Sequence, residues 1–181
     1  MNVPPASTPV VTRRQRAAAR SVSDPPLADR LPARAAATLA FASAAVTLFW
    51  TLGGTLLLDT VGGAPEDLAR QRTLGSFAFG TVVVLVKVTA GLLALGLLGH
   101  GAGRLRRRWL LIANATAAAI LLLWGGANVL LGGLVLAGVI TPEDSVDERN
   151  LRWHVYLWDL WFVVWGALIV VAVMRYRGRR S

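Results

Sequence analysis

Long hydrophobic stretches with few polar positions are the dominant pattern of this chain. A helix needs ~20 apolar residues to cross ~30 Å of hydrocarbon, whereas the strands of a membrane barrel span ~10 residues of alternating polarity. The stretches are long enough for helices and do not alternate, so they predict an all-α membrane protein with four transmembrane helices. They cover residues 35–58, 77–98, 110–131 and 155–174.

The segments between the stretches predict an up-down bundle whose two termini lie on the same side. Residues 1–34, the linker 99–109 and the segment after residue 174 hold six, four and four arginines. The linkers 59–76 and 140–153 together hold four arginines against seven acidic residues. Because basic residues concentrate on the cytoplasmic side, both termini are predicted to be cytoplasmic, in a multi-pass protein of the cytoplasmic membrane.

Composition and charge exclude a soluble function. The chain is 55% apolar and carries a net charge of +9. No folded soluble domain is expected to present a basic groove, so the charge indicates attraction to anionic lipid at the cytoplasmic face and no nucleic acid partner. Residues 1–34 lack an apolar period and are predicted to be a disordered basic tail. Residues 177–181 form a second basic tail, which leaves 35–176 as the transmembrane domain.

The two linkers on the predicted outer side resemble each other at an offset of 77 residues. This similarity indicates an internal repeat of two hairpins, which would be related to each other by a pseudo-twofold axis along the membrane normal. Proline at the first helical position followed by acidic residues also begins ordinary helices, so two unrelated short surface helices explain the similarity equally simply. The matching residues are Pro65, Glu66, Asp67, Arg72 and Leu74 against Pro142, Glu143, Asp144, Arg149 and Leu151.

Lys87 is the only lysine in a chain with eighteen arginines, and it lies in the middle of the second predicted span. A charge at that depth costs roughly 2.5–3.5 kcal/mol on insertion scales, so it is expected to have a partner or a use. At 100° per residue, Lys87 shares the smallest face of its helix with Gly80 and Gly91. Small residues mark close helix contacts in membranes, so Lys87 is predicted to face the interior of the bundle.

Asp159 is the only acidic residue inside a predicted span, and we expect it to pair with Lys87. Single opposite charges on neighbouring spans avoid the cost of an unpaired buried ion, and the lysine stem is long enough to close a difference in depth. A structural pair would fix the register of the helices. A functional pair would form a proton or substrate site, for which lysine is better suited than arginine because it loses its proton more readily when buried. Lys87 could also extend towards the interface alone or meet a ligand headgroup.

Five further residues are candidates for lining a ligand site, because they lie on the polar or aromatic faces of the other spans. These residues are Trp50, Thr51, Asn128, His154 and Trp158. His154 is also typical of an interfacial anchor, as are most of the tryptophans. His100 and His154 lie at opposite ends of the bundle and cannot share one metal or haem, so no metal or cofactor is expected.

The absence of familiar catalytic motifs predicts a protein that is not an enzyme. The chain has no cysteine, which excludes thiol oxidoreductase chemistry. It also lacks the H-E-x-x-H, G-x-S-x-G and phosphate-loop motifs of metalloproteases, serine hydrolases and ATPases. A weak alternative is acid–base chemistry on a lipidic substrate by His154, Asp59 or Asp159.

A family resemblance supports the fold. The chain resembles a family of small four-span membrane proteins of unknown function that occurs mainly in actinobacteria. The resemblance covers roughly residues 35–175 and implies fold and location without an activity. It rests on His154, Trp158, Asp159, Trp161, Phe162, Trp165 and Gly166, together with Trp50, Gly53 and Gly54.

Two functions remain open from the sequence. The first is a non-enzymatic membrane scaffold or accessory subunit that binds another membrane protein. The second is a dimeric transporter or ligand-binding bundle that admits a proton or a small molecule to Lys87 and Asp159. A dry interior would favour the scaffold, and a cavity beside Lys87 would favour the binding bundle.

Overall fold

The computed structural model describes residues 27–99, 103–142 and 147–178, and these are helical and contain no strand. Four helices are long and apolar enough to cross a membrane, so the chain is a multi-pass membrane protein. The predicted tails at 1–26 and 179–181, His100, and Glu143 and Asp144 of the second linker lie outside the described residues. The helices are α1 (Leu27–Thr51), α2 (Gly63–Gln71), α3 (Leu74–Gly96), α4 (Arg104–Leu136), α5 (Glu148–Trp153) and α6 (Asp159–Gly178), with a 3₁₀ turn at Leu58–Thr60.

The first helix begins and ends earlier than the apolar stretch predicts. It begins at Leu27, so residues 27–34 are helical and do not belong to the predicted tail. Pro32 lies inside the helix and has no N–H for the carbonyl of Ala28, but Arg175 of α6 donates to that carbonyl instead. The helix ends at Thr51 because Gly53 has a φ of +99°, which a residue with a side chain rarely adopts.

The two linkers between the paired spans differ in structure. The first contains α2 as a separate short helix, as predicted, and then α3 begins with a capping box in which Thr73 and Ser76 bond each other's backbone N–H groups. In the second, α5 begins after Asp147, whose side chain accepts from the N–H of Arg149. The helix α5 then continues into α6 through a π-helical segment at His154–Trp158, so the fourth span is one long helix with a wide turn.

The helices form an up-down bundle of two hairpins. Within the hairpins, α1 packs on α3 and α4 packs on α6. The contact between α1 and α6 joins the two hairpins, whereas α3 and α4 have few contacts. We call the end of the bundle that holds α2 and α5 the linker end, and the end at which α1 begins and α6 ends the terminal end. The distribution of arginines predicts that the linker end faces outside.

The closely packed core lies towards the terminal end. Alanines that recur at helical spacing along one face of α1 are fully buried against larger residues of α6, so the helices approach closely. At the same end, Asn114 of α4 donates to the carbonyl of Leu93 on α3 at 3.1 Å. The buried core residues are Ala36, Ala37, Ala40, Ala94, Ala118, Trp165 and Ile169.

Candidate functional site

The linker half of the bundle encloses a cavity of about 1190 Å³. Its walls come from α1, α3, α4 and the π segment with the start of α6, and α2 with its flanking linker covers the linker end. The seven residues that the sequence singles out all lie in this wall, so the structure brings them around one space. They are Trp50, Thr51, Lys87, Asn128, His154, Trp158 and Asp159.

Lys87 is anchored to α1 at the deep side of the cavity. Its Nζ donates to Thr47 Oγ1 at 2.7 Å and to the carbonyl of Ser43 at 3.4 Å. The Thr47 hydroxyl donates in turn to the carbonyl of Ser43 at 3.0 Å, which leaves its oxygen free to accept from the amine. An ammonium has three donors, so one of them has no partner among the described residues.

Asp159 is 4% exposed and is held by polar groups from two elements. His154 Nδ1 lies 3.1 Å from its Oδ2, and Asn128 of α4 donates to its Oδ1 at 3.3 Å. The contact between His154 and Asp159 depends on the π segment. Residues five apart on an α-helix lie about 140° apart around its axis, whereas i to i+5 bonding brings them to one side of the helix. The N–H of Asp159 itself donates to the carbonyl of His154 in this i to i+5 pattern.

The predicted ion pair between Lys87 and Asp159 does not form in this structure. Both side chains line the cavity, but each has a nearer partner: Thr47 for the amine and His154 for the carboxylate. Within the described part of the chain, Asp159 pairs with His154, and no ion pair includes Lys87. The amine therefore lies in a membrane-spanning helix beside an open space, with no counter-ion among the residues that the structure describes.

Aromatic side chains close the cavity at the linker end. The rings of Trp50 and Trp158 meet edge to face, with 5.4 Å between their centroids. The Trp50 indole donates to the carbonyl of Leu56 at 2.9 Å, and the Trp158 indole donates to Thr60 Oγ1 at 3.2 Å. A third hydrogen bond to the linker joins His154 Nε2 and the carbonyl of Val61. The linker is thus bonded to both hairpins.

Glycines allow the close helix contacts that position the polar groups. A Cβ at Gly125 of α4 would lie 2.7 Å from the backbone oxygen of Asp159, and one at Gly132 would lie 2.5 Å from Val155 in the π segment. A Cβ at Gly80 of α3 would lie 2.3 Å from the Thr51 hydroxyl oxygen. Larger residues at Gly125 or Gly132 would push α4 away from the fourth span, which carries Asp159. A larger residue at Gly80 would push α3, which carries Lys87, away from α1.

Some functional partners had no clear signal in the sequence. Thr47 lies on the small polar stripe of the first span, and only its position relative to Lys87 in the fold identifies it as the acceptor. The carbonyl of Val61 is a backbone group, which no residue pattern predicts. Arg72 lines the cavity and donates to the carbonyl of Gly53 at 2.8 Å, but the sequence singles it out only as part of the repeat.

The comparisons with known proteins identify a family without a known activity. A family model described as a protein of unknown function (DUF3995) matches residues 40–169. No curated protein and no solved structure matches the chain. The match agrees with the predicted resemblance to a family of unknown function, while the actinobacterial distribution stays a prediction.

Proposed function

We propose that this chain, which belongs to the DUF3995 family of proteins of unknown function, binds an amphipathic anion in its membrane cavity. In this proposal the acidic group of the ligand bonds the Lys87 amine, and its hydrocarbon part occupies the apolar space around it. The observation that carries the proposal is a lysine in a membrane-spanning helix that lines a large cavity and has, among the described residues, no counter-ion and no partner for its third donor.

The electrostatics of Lys87 favour an anionic partner. A charged lysine in the middle of a bilayer costs roughly 2.5–3.5 kcal/mol, and a hydroxyl and a carbonyl offset only part of that cost. A bound carboxylate, sulfonate or phosphate would supply the missing charge and accept the remaining donor.

The walls of the cavity favour a hydrocarbon body that comes from the bilayer. Small-molecule sites usually measure ~300–1,000 Å³, so a space of about 1190 Å³ accommodates a ligand of lipid size. Two of its lining residues, Phe79 on α3 and Trp124 on α4, are 55% and 65% exposed on the outside of the bundle. These positions lie on α3 and α4, two neighbouring spans that pack on each other only sparsely, so a ligand can enter sideways from the acyl chains.

The scaffold function that sequence analysis also allows receives less support. It requires only an exposed apolar face, and it gives no reason for polar groups from all four spans to surround a cavity. Binding also does not require the homodimer expected of a transporter, because one chain contributes all seven of the residues singled out from the sequence. A homodimer or another membrane protein partner stays a prediction.

Calorimetry on the protein in lipid nanodiscs, with empty nanodiscs as the blank, tests the proposal. We expect decanesulfonate to bind saturably at one site per chain and decanol to bind at least about tenfold more weakly, a difference of about 1.4 kcal/mol. The variant Lys87→Met keeps most of the length of the side chain and removes its charge, so its affinity for the sulfonate should fall by about tenfold or more.

The matched control is Arg149→Gln, which removes a positive charge from an exposed position at the same end of the bundle, outside the cavity wall. Its affinity for decanesulfonate should stay within about twofold of the wild type, because surface charges are screened by salt. Equal binding by wild type and Lys87→Met, or decanol binding as tightly as the sulfonate, would rule out the proposed site.

A further inference from the structure

We infer that the cavity takes up a proton together with the anion and that the pair His154 and Asp159 holds this proton. The inference rests on the proposed function and adds the identity of a co-bound ion. Binding of the anion is then coupled to binding of a proton. Together the two ions are equivalent to the neutral acid form of an amphiphile. The pair lies in the wall of the same cavity as Lys87.

The hydrogen bonds of His154 define how many protons the pair can hold. A carbonyl oxygen only accepts, so the bond from His154 Nε2 to Val61 places a hydrogen on Nε2. Nδ1 faces Asp159 Oδ2 at 3.1 Å, and that contact requires one more hydrogen, carried either by the ring or by the carboxyl group. When this hydrogen leaves, the lone pair of Nδ1 faces a carboxylate, and the contact becomes repulsive. The pair is therefore a site that gains or loses one proton.

The pair reaches both the cavity and the solvent side of the linker. Asp159 is almost completely buried, while the side chain of His154 is 37% exposed, which gives a proton a path to the carboxylate through the ring. Asn128 holds the other carboxylate oxygen and cannot titrate. Other charged groups at the linker end are Lys87, Arg72, Asp147, Asp67 and the ion pairs Asp59 with Arg149, Glu148 with Arg152 and Glu66 with Arg70.

The charges in the cavity determine the direction of the coupling. With a charged Lys87 and the proton in place on the pair, the cavity carries a net charge of +1, and a bound monovalent anion neutralises it. After the pair loses its proton, the carboxylate already balances Lys87, and the same anion leaves one unbalanced negative charge in a low dielectric. The protonated form therefore binds the anion more tightly. Binding takes up as much as one proton, and affinity falls as pH rises.

Calorimetry at a fixed pH in two buffers of different ionisation enthalpy measures the proton directly. Decanesulfonate serves as the probe because it has no proton of its own in the range tested, from pH 5.5 to 9. We expect the wild type to take up at most about half a proton per bound anion within this range and to bind about tenfold more weakly where the pair is deprotonated, since a tenfold coupling limits the uptake to that fraction. Arg149→Gln should behave as the wild type does.

The variant His154→Gln removes the titrating ring and keeps a donor that can reach the carbonyl of Val61. It should bind decanesulfonate with no proton uptake and with an affinity that does not change across the pH range. Proton uptake is also measured in Asp159→Asn, which keeps the size of the side chain and serves alone if His154→Gln is too unstable to purify.

The outcomes separate this inference from the proposed function. Saturable binding without proton uptake by the wild type would overturn the inference and leave the binding site intact. Uptake that persists at the wild-type level in both His154→Gln and Asp159→Asn would also overturn it and assign the proton to a group outside the pair. An absence of sulfonate binding by the wild type would instead refute the proposed function itself.

Discussion

At the scale of single residues, two charged side chains in the cavity wall have different surroundings. Asp159 is buried and bonded at both oxygens, by His154 and Asn128, whereas the partners of the partly buried Lys87 in the described part of the chain are uncharged. A fully bonded carboxylate is a stable structural element, and an ammonium without a counter-ion is a site that a ligand can complete. This asymmetry makes Lys87 the binding group in the proposal and the pair at Asp159 the proton site.

The hydroxyl of Thr47 should be required for stability because it is the closest acceptor of the Lys87 amine. Thr47→Val has nearly the same shape, removes that acceptor and leaves the amine less well bonded, which should lower the free energy of unfolding by about 1–3 kcal/mol. Thr47→Ser keeps the hydroxyl and loses one methyl group, which should cost about 0.8 kcal/mol. Titration of the purified protein with SDS, followed by tryptophan fluorescence, measures both. Equal losses in the two variants would show that the hydroxyl does not matter.

The sequence predicts which residues line the site better than it predicts their hydrogen-bond partners. Periodicity places Lys87, Asn128 and Thr51 on small polar faces, and such faces turn inward in a membrane bundle, so these residues meet around one space. The partner of Lys87 depends on the relative depth of two helices, which periodicity does not give. Counting at 100° per residue also assumes an α-helix throughout, and the π segment breaks that assumption where His154 reaches Asp159.

At the scale of elements, helix bounds follow backbone chemistry more closely than hydropathy. The first apolar stretch continues to Leu58, but α1 stops at Thr51 because Gly53 and Gly54 begin a turn that brings the linker back over the cavity. The third stretch is predicted to begin at residue 110, whereas α4 begins at Arg104. Charged residues can extend a helix beyond the hydrocarbon, so polarity marks the membrane boundary and not the end of the helix.

Packing of α4 on the fourth span should depend on one of two adjacent glycines. A Cβ at Gly125 would lie 2.7 Å from the backbone oxygen of Asp159, whereas one at Gly126 would meet nothing within 4 Å. Gly125→Ala should therefore lower the free energy of unfolding by about 1–3 kcal/mol. Gly126→Ala should be neutral or stabilising by up to about 1 kcal/mol, since alanine favours a helix. Unfolding in SDS compares the two, and a neutral Gly125→Ala would contradict the contact that positions Asp159.

At the scale of the whole molecule, the bundle is packed at one end and hollow at the other. Buried alanines of α1 fill the terminal end together with Trp165 and Ile169, while the linker end holds the cavity and every charged or hydroxylic group that lines it. Hydropathy predicts four spans and cannot predict this division, because it does not tell which parts of the spans pack together and which line a space. The division follows from which spans pack closely, and that depends on the positions of small residues on three helices.

The orientation of the bundle, predicted from its arginines, determines the side on which the proton site faces solvent. The chain has no cysteine, so single cysteines can report it without background. Asp67→Cys lies on an exposed position of α2 at the linker end, and Ser181→Cys is the last residue of the chain. In intact cells, a membrane-impermeant maleimide should label the cysteine at 67 and should label the one at 181 only after the membrane is permeabilised, because basic residues stay in the cytoplasm. The reverse pattern would place the linker end inside, and the pair at His154 and Asp159 would then exchange its proton with the cytoplasm.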